Sequence, residues 1–327
     1  MKNVNLVEFP PEQKAAYRKA RRLEYVSVAY IGSAAVFLYL VMGSSQAMRT
    51  SWLEDMMSLV PPVAFLVCSR IARTEPSRKY PYGRHSAVSI GYITSALALT
   101  AMGAFLLTEA ATKLILGERT TIGGYDLFGT TIWAGWPMLV ALAYTSVPSY
   151  FLGRAKLKLA PLIHDKILYA DAKMNRADWM AEVAATVGVI GTGFGIWWAD
   201  AAAAGLVSLD ILRDGLRNIG AAVTDLMDET PKVTEGDGLN PLPEKLQAYI
   251  ETFDWVERAD VRMREEGHVF FGEAFVVPRD ERDLVQRIAA LSGQAKAFNW
   301  RVHDLTVMPV SRELLRDGGA DEVEGDD

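Results

Sequence analysis

A carboxylate, Asp178, interrupts one of the long apolar runs of this chain, within the segment Leu168–Gly191. An ionised carboxylate near the centre of a bilayer costs roughly 2.5–3.5 kcal/mol on insertion scales. A helix that keeps one therefore turns it towards a cavity, an ion or another charge. Asp171, Asn175, Asp178 and Glu182 recur at i, i+4, i+7 and i+11. At about 100° per residue they form a narrow stripe on one helical face, with Met174 at its edge. The two outer acids read as ends of a polar groove, hydrogen-bonded to neighbours. The central pair, Asn175 and Asp178, reads as a cation site or, alternatively, as part of the same groove.

Half of the 327 residues are hydrophobic, yet 23% are charged, which points to a membrane bundle joined to a water-exposed domain. Nucleic acid is not an expected partner, since no basic patch carries interleaved aromatics. The single cysteine, Cys68, excludes an intrachain disulfide framework and reads as a small core residue. No cleavable signal peptide is expected, because the chain is polar and charged through Glu24.

Runs near the required ~20 apolar residues predict six spans: Tyr25–Gly43, Trp52–Ile71, Val88–Leu114, Thr131–Leu152, Leu168–Trp198 and Ala199–Val223. Basic residues cluster before span one (Lys14, Arg18, Lys19, Arg21, Arg22), between two and three (Arg70, Arg73, Arg78, Lys79, Arg84), and between four and five (Arg154, Lys156, Lys158, Lys166). The alternate loops carry only Arg49, Lys113 and Arg119. By the positive-inside rule both termini are cytoplasmic, with residues 1–24 a basic N-terminal segment of a protein in the cell (inner) membrane.

Residues 25–231 form the predicted membrane domain and 232–242 a polar linker. Residues 243–311 read as a cytoplasmic αββαβ, ferredoxin-like domain: helix Pro243–Phe253, strands Val256–Arg264 and His268–Val277, helix Asp280–Phe298 and strand His303–Val310. Some 70 residues is marginal for an independent fold, so self-association or support from the membrane part is expected. The acidic stretch 312–327 reads as a disordered tail.

Span two places Glu54 and Asp55 one turn before Ser58 and the pair Pro61-Pro62. The prolines predict a kink there. Adjacent residues diverge by about 100°, so Glu54 and Asp55 do not face one centre equally; Asp55 and Ser58 do share a face. Asp55, Asp178, Glu54 and Asn175 are the candidate metal ligands. Carboxylates with an amide make a hard oxygen set, favouring Mg²⁺, Mn²⁺ or Fe²⁺ over zinc as substrate, with no resident cofactor. Met174 is a weak ligand for such ions and reads more readily as packing. His85, His164, His268 and His303 form no pair at ligand spacing and read as structural. Asp210, Arg213, Asp214 and Arg217 of span six read as neutralising one another locally.

Several segments together resemble the cation diffusion facilitator family over nearly the whole chain. Tyr80-Pro-Tyr-Gly-Arg-His85 is similar to the family's His-Pro-Tyr-Gly-His signature, and Ala170–Asp178 looks like its fifth helix. Trp197-Trp198-Ala-Asp200-Ala201 matches the turn into its sixth helix, Asp225-Leu-Met-Asp228 the end of that helix, and the αββαβ region its dimer-forming domain. The chain departs from the pattern at Met174, which stands at the family's first fifth-helix ligand, with Asp178 at the second. The second-helix pair falls on Glu54 and Ser58 or on Asp55 and Leu59. The resemblance implies a homodimeric divalent-cation exporter in the lipid bilayer, proton-coupled and working by alternating access. A non-transporting scaffold or regulatory subunit of the same fold is the alternative. An enzyme is not expected, because no nucleophile–base pair occurs at a plausible depth.

Overall fold

The computed structural model describes residues 9–41, 46–117, 124–127, 130–133, 135–236 and 238–313. Most of the expected acidic tail, from residue 314 onwards, lies outside the described residues. Helix α1 (Pro11–Val41) starts well before the apolar run at Tyr25, with proline at its first position, where a missing N–H is harmless. Helices α2 (Gln46–Ser58) and α3 (Val60–Ala72) are two halves of one rod, broken at Leu59. Pro61 and Pro62 cannot donate, so the carbonyls of Met57 and Ser58 lose their usual helical partners. Hydrogen bonds from Leu59 N–H to the Asp55 carbonyl (3.1 Å) and from Val63 N–H to the Leu59 carbonyl (3.2 Å) carry the chain across the break.

Helix α4 (Ala87–Leu116) is followed by a short hairpin, β1 (Gly124–Leu127) and β2 (Thr130–Trp133), then α5 (Gly135–Ile163), α6 (Lys166–Gly193) and α7 (Ala199–Leu226). The expected fourth span began at Thr131, but Thr130-Thr-Ile-Trp133 pairs as a strand. These β-branched and aromatic residues suit a pleated surface better than a helix start. The fifth helix also stops earlier than its expected end at Trp198, since residues 194–198 turn towards α7.

Exposure across these helices is inverted relative to a water-soluble fold. Val36, Leu97, Phe151, Val187 and Leu206 point outwards, whereas Glu24, Lys156 and Asp171 are fully buried. An apolar outside around a charged inside suits lipid surroundings. The stretches 52–72 and 87–116 are long and apolar enough to cross a bilayer on composition alone. Backbones of α4 and α7 touch: a Cβ on Gly103 would lie 2.6 Å from Leu212 N, and one on Gly215 would lie 2.7 Å from Thr100 Cα. On α5, a Cβ at Gly153 would meet Asn175 Cβ of α6 at 2.9 Å. Small residues permit such approach where lipid offers no hydrophobic drive.

The remainder follows the order α8 (Leu242–Glu251), β3 (Val256–Glu266), β4 (Val269–Pro278), α9 (Leu284–Phe298), β5 (Val302–Pro309). Strand β4 is central, antiparallel to β3 and parallel to β5, the parallel step being made through α9. Leu246, Ile250, Leu291 and Ala295 of the helices pack on Phe270, Ala274, Val276 and Leu305. Strand β3 alternates buried and exposed residues, as a strand with one covered face must. Helix α9 begins later than the expected Asp280, whose carboxylate accepts from Arg282 N–H and Arg287 Nη1 (3.0 Å each) instead.

The β3–β4 tip is wedged against the helical bundle at the start of α4 and the α5–α6 turn. Gly267 there has φ +68°, and a Cβ on it would lie 2.8 Å from the His85 carbonyl oxygen. All four histidines meet along this seam, which their sequence spacing did not foretell. The rings of His85 and His303 are 4.8 Å apart at their centroids, with Phe271 beside both. His164 Nε2 lies 3.2 Å from Glu265, and His268 Nε2 lies 3.5 Å from Asp165. Lys166 bridges Asp225 (2.7 Å) and Glu265 (3.0 Å). Burial pushes His85 down to about 4, with His303 and His268 adding to the effect. Burial likewise lowers His164. Burial alone would raise Glu265, but His164 and Lys166 hold it below its ordinary value.

Candidate metal centre

Helix α6 and the bent α2–α3 rod bring the expected acids together. Ser58 Oγ donates to Asp178 Oδ1 at 2.7 Å, directly beside the carbonyls released by the two prolines. The two pairs left open for the second helix each contribute here, Ser58 from one and Asp55 from the other. Asp55 lies within electrostatic reach of Asp178, and its Oδ2 is buried with no hydrogen-bond partner among the described residues. Glu54 has Glu109 of α4 as its strongest charged neighbour and Asp178 next. It stands towards α4, on the flank of the group.

Glu182 is hydrogen-bonded to Thr145 of α5 and reaches Asp178, Asp55 and Glu54 electrostatically; its Oε2 is buried and has no partner among the described residues. Tyr30 of α1 closes this side, donating to the Thr145 carbonyl at 3.2 Å. Sequence reasoning placed Glu182 at the end of a groove. Neither Tyr30 nor Thr145 was singled out, since each is an ordinary residue in an apolar run.

Asn175 turns the other way. Its Nδ2 donates to the Asp171 carbonyl (2.9 Å) and to Asp171 Oδ1 (3.3 Å). Asp171 also pairs with Lys156 of α5, which contacts Glu24 of α1 at 3.0 Å. Lys156 was read from sequence as a loop charge, yet it is fully buried. The α6 stripe is therefore divided: Asp171 and Asn175 belong to a sealed ionic cluster, while Asp178 and Glu182 face α2 and are partly exposed. Met174 packs with Leu99, Met102, Ala177 and Ile211 in an apolar cluster.

Among the described residues, no three His, Cys, Asp or Glu side chains converge as a complete metal-binding group in this conformation. What they form is a concentration of hard oxygen donors. Such a group takes up cations or protons, and it contains neither the histidine nor the thiolate that zinc prefers.

The span-six charges differ from expectation. Asp210 pairs with Arg176 (2.8 Å), and Asp214 pairs with Lys173 (3.1 Å), both on α6. The acids thereby tie α7 to α6.

Acids gathered between inverted, lipid-suited helices define a membrane carrier of metal cations. The model of the cation efflux transmembrane domain matches residues 25–227, and the chain belongs to the cation efflux, or cation diffusion facilitator, family. The manganese efflux system protein MneP of Bacillus subtilis (strain 168) is 25% identical over 266 residues, covering 79% of this chain and 82% of MneP. MneS of the same organism, also named a manganese efflux system protein, is 19% identical over 266 residues, covering 73% of this chain and 88% of MneS. The uncharacterized transporter YdbO, again from that organism, is 23% identical over 290 residues, covering 87% and 92%. The chain is a membrane transporter of metal cations and not an enzyme.

Proposed function

We propose that this protein exports a hard divalent cation, Mn²⁺ foremost, from the cytoplasm in exchange for protons. The carrying observation is the Ser58–Asp178 hydrogen bond, which sets Asp178 between the bent rod and α6 within reach of Asp55. Asp55 and Asp178 are the principal ligands and Glu54 an auxiliary one, while Asn175, expected beside them, turns instead to Asp171. Mg²⁺ and Fe²⁺ suit the same oxygen donors. The names of MneP and MneS favour manganese among the three.

Metal binding displaces protons from ligand carboxylates, so filling and emptying the site exchanges the two kinds of cation. The incomplete convergence of ligands fits a site that assembles during alternating access. In this reading the helical rods make six spans of the cell (inner) membrane, with both termini in the cytoplasm. Residues 25–231 form the membrane part, 232–242 a linker, and 243–311 a cytoplasmic αββαβ domain through which two copies pair.

Ion flux into proteoliposomes under an imposed pH gradient tests this, with Mg²⁺, Mn²⁺, Fe²⁺, Co²⁺, Ni²⁺, Zn²⁺ and Cd²⁺ compared. Mn²⁺ flux that Asp178→Ala abolishes, in protein that still inserts and dimerises, is the expected result. Flux carried mainly by zinc or cadmium would refute the hard-oxygen assignment. Silence across the panel from intact dimers would leave the scaffold reading in its place.

A further inference from the structure

The sealed cluster of Glu24, Lys156 and Asp171 is more than a strut. All three side chains have zero exposure, inside helices α1, α5 and α6. Lys156 Nζ contacts Glu24 Oε2 at 3.0 Å and Asp171 Oδ2 more closely still. Two carboxylates share one ammonium in a place cut off from water. Glu24 Oε1 is buried with no hydrogen-bond partner among the described residues, as is Ser27 Oγ one turn along the same face of α1. A purely structural buried ion pair needs its remaining lone pairs satisfied, and Glu24 Oε1 leaves one side open among the described residues.

Position adds a second argument. Asp171 precedes Asp178 by seven residues on α6, about 10 Å at the helical rise of 1.5 Å per residue. Along that face Asp171 is 0% exposed and Asn175 is 2%, after which Asp178 and Glu182 are partly exposed. The column is closed on the Asp171 side, which the charge distribution of the loops makes the cytoplasmic side, and Lys156 sits in the closure.

We propose that Glu24 and Asp171, with Asn175 and Ser27, form a second cation subsite on the cytoplasmic side of the Asp178 centre. In this conformation the tethered ammonium of Lys156 fills it, and a hard divalent cation displaces that ammonium on its way in. Two carboxylates, an amide and a hydroxyl supply the oxygen donors such ions take. A divalent ion neutralises both carboxylates in their ionised form, where the ammonium neutralises one. The lysine's four-carbon stem lets the ammonium withdraw towards cytoplasmic water. This assignment rests on the export reading for its direction of travel, but its binding chemistry stands apart from it.

Mn²⁺ binding to the purified full-length protein in detergent, followed by loss of the free-ion electron paramagnetic resonance signal, tests the subsite. Asp178→Asn should bind Mn²⁺ weakly. Adding Lys156→Gln should restore about one tight site per chain, at least about tenfold stronger, as two uncompensated carboxylates demand. Adding Glu24→Gln to that pair should abolish it again. No gain from Lys156→Gln, in protein of unchanged helicity, would overturn the subsite. Undiminished binding by Asp178→Asn alone would instead overturn the Asp178 centre, while the Lys156 comparison would still report on the subsite.

Lys156→Arg covers the case in which removing the ammonium prevents folding. A guanidinium keeps the charge but grips carboxylates through paired hydrogen bonds. Mn²⁺ flux should fall about tenfold, the effect of about 1.4 kcal/mol of added hold, with thermal stability retained. Flux at the wild-type rate in that variant would rule out displacement.

Discussion

Acidification should open the seam between the C-terminal αββαβ region and the helical bundle, and His85 provides a measure of how far. Its proton affinity falls from the ordinary histidine value of 6.5 to about 4 because the closed seam buries it beside His303 and near His268. A histidine depressed in this way favours the closed seam fully above pH 6.5. As the pH drops towards 4, the open form takes up the proton and the closed form resists it. The loss from His85 alone reaches about 2 kcal/mol at pH 5 and about 3 kcal/mol at pH 4, taken as upper values for a group with some residual solvation. His303 and His164, both lowered by burial, act in the same direction. Glu265, held below its ordinary value, adds to the loss at the acid end, while Asp165, raised by burial, opposes it. Hydrogen exchange of the amides at 83–90 and 265–271, corrected for the intrinsic effect of pH, reads the opening directly. Between pH 7.5 and 5 the His85 part should increase opening by about 30-fold, and His85→Asn should remove that part. Equal pH dependence in the two proteins would refute the argument.

Packing makes further predictions. Gly215→Val should lower stability by about 1–3 kcal/mol, because the new Cβ meets the Thr100 backbone, which cannot yield. Gly220→Ala, with nothing within 4 Å, should leave the detergent melting temperature unchanged or slightly higher. Equal melting of the two variants would contradict the close approach of α4 and α7. Glu265→Gln removes one partner from the buried bridge of Lys166 and His164 and should cost about 3 kcal/mol of docking. Faster proteolysis in the linker around Lys232 would show it, and wild-type resistance would count against the bridge.

The sequence carried the periodic features well. The αββαβ order was legible because each element buries one face at its own period, as Leu246 and Ile250 do on α8 and alternate residues do on β3. The acidic stripe of α6 was legible for the same reason. What escaped was pairing across the chain. Lys156 and Lys166 counted as solvated loop charges, because counting ignores partners, and their carboxylates lie on other helices. The four histidines read as isolated because a seam between two domains leaves no spacing in either. Thr131 was assigned to a helix because β2 adjoins an apolar run and shares its hydropathy. The polar start of α1 lacked the apolar stretch by which a span is recognised, although its buried side, Ala16, Tyr17 and Ala20, has helical spacing.

The glycine contacts between helices determine which parts of the bundle can move. With Gly103 against Leu212 and Gly215 against Thr100, helices α4 and α7 mesh like teeth at neighbouring turns. Neither can slide along the other without a clash. Gly153 gives α5 and α6 a similar mesh. The α3 half of the bent rod has a similar tooth, since a Cβ on Gly91 of α4 would lie 3.1 Å from Cys68 Cβ of α3, whereas the α2 half meets Asp178 through the Ser58 hydroxyl. Of the ligands proposed for the ion, Glu54 and Asp55 lie on α2, beyond the proline break from that tooth, and Asp178 lies on the meshed α6. A metal ion that joins them acts as a clasp across that joint, so its arrival and departure are themselves mechanical events for the fold.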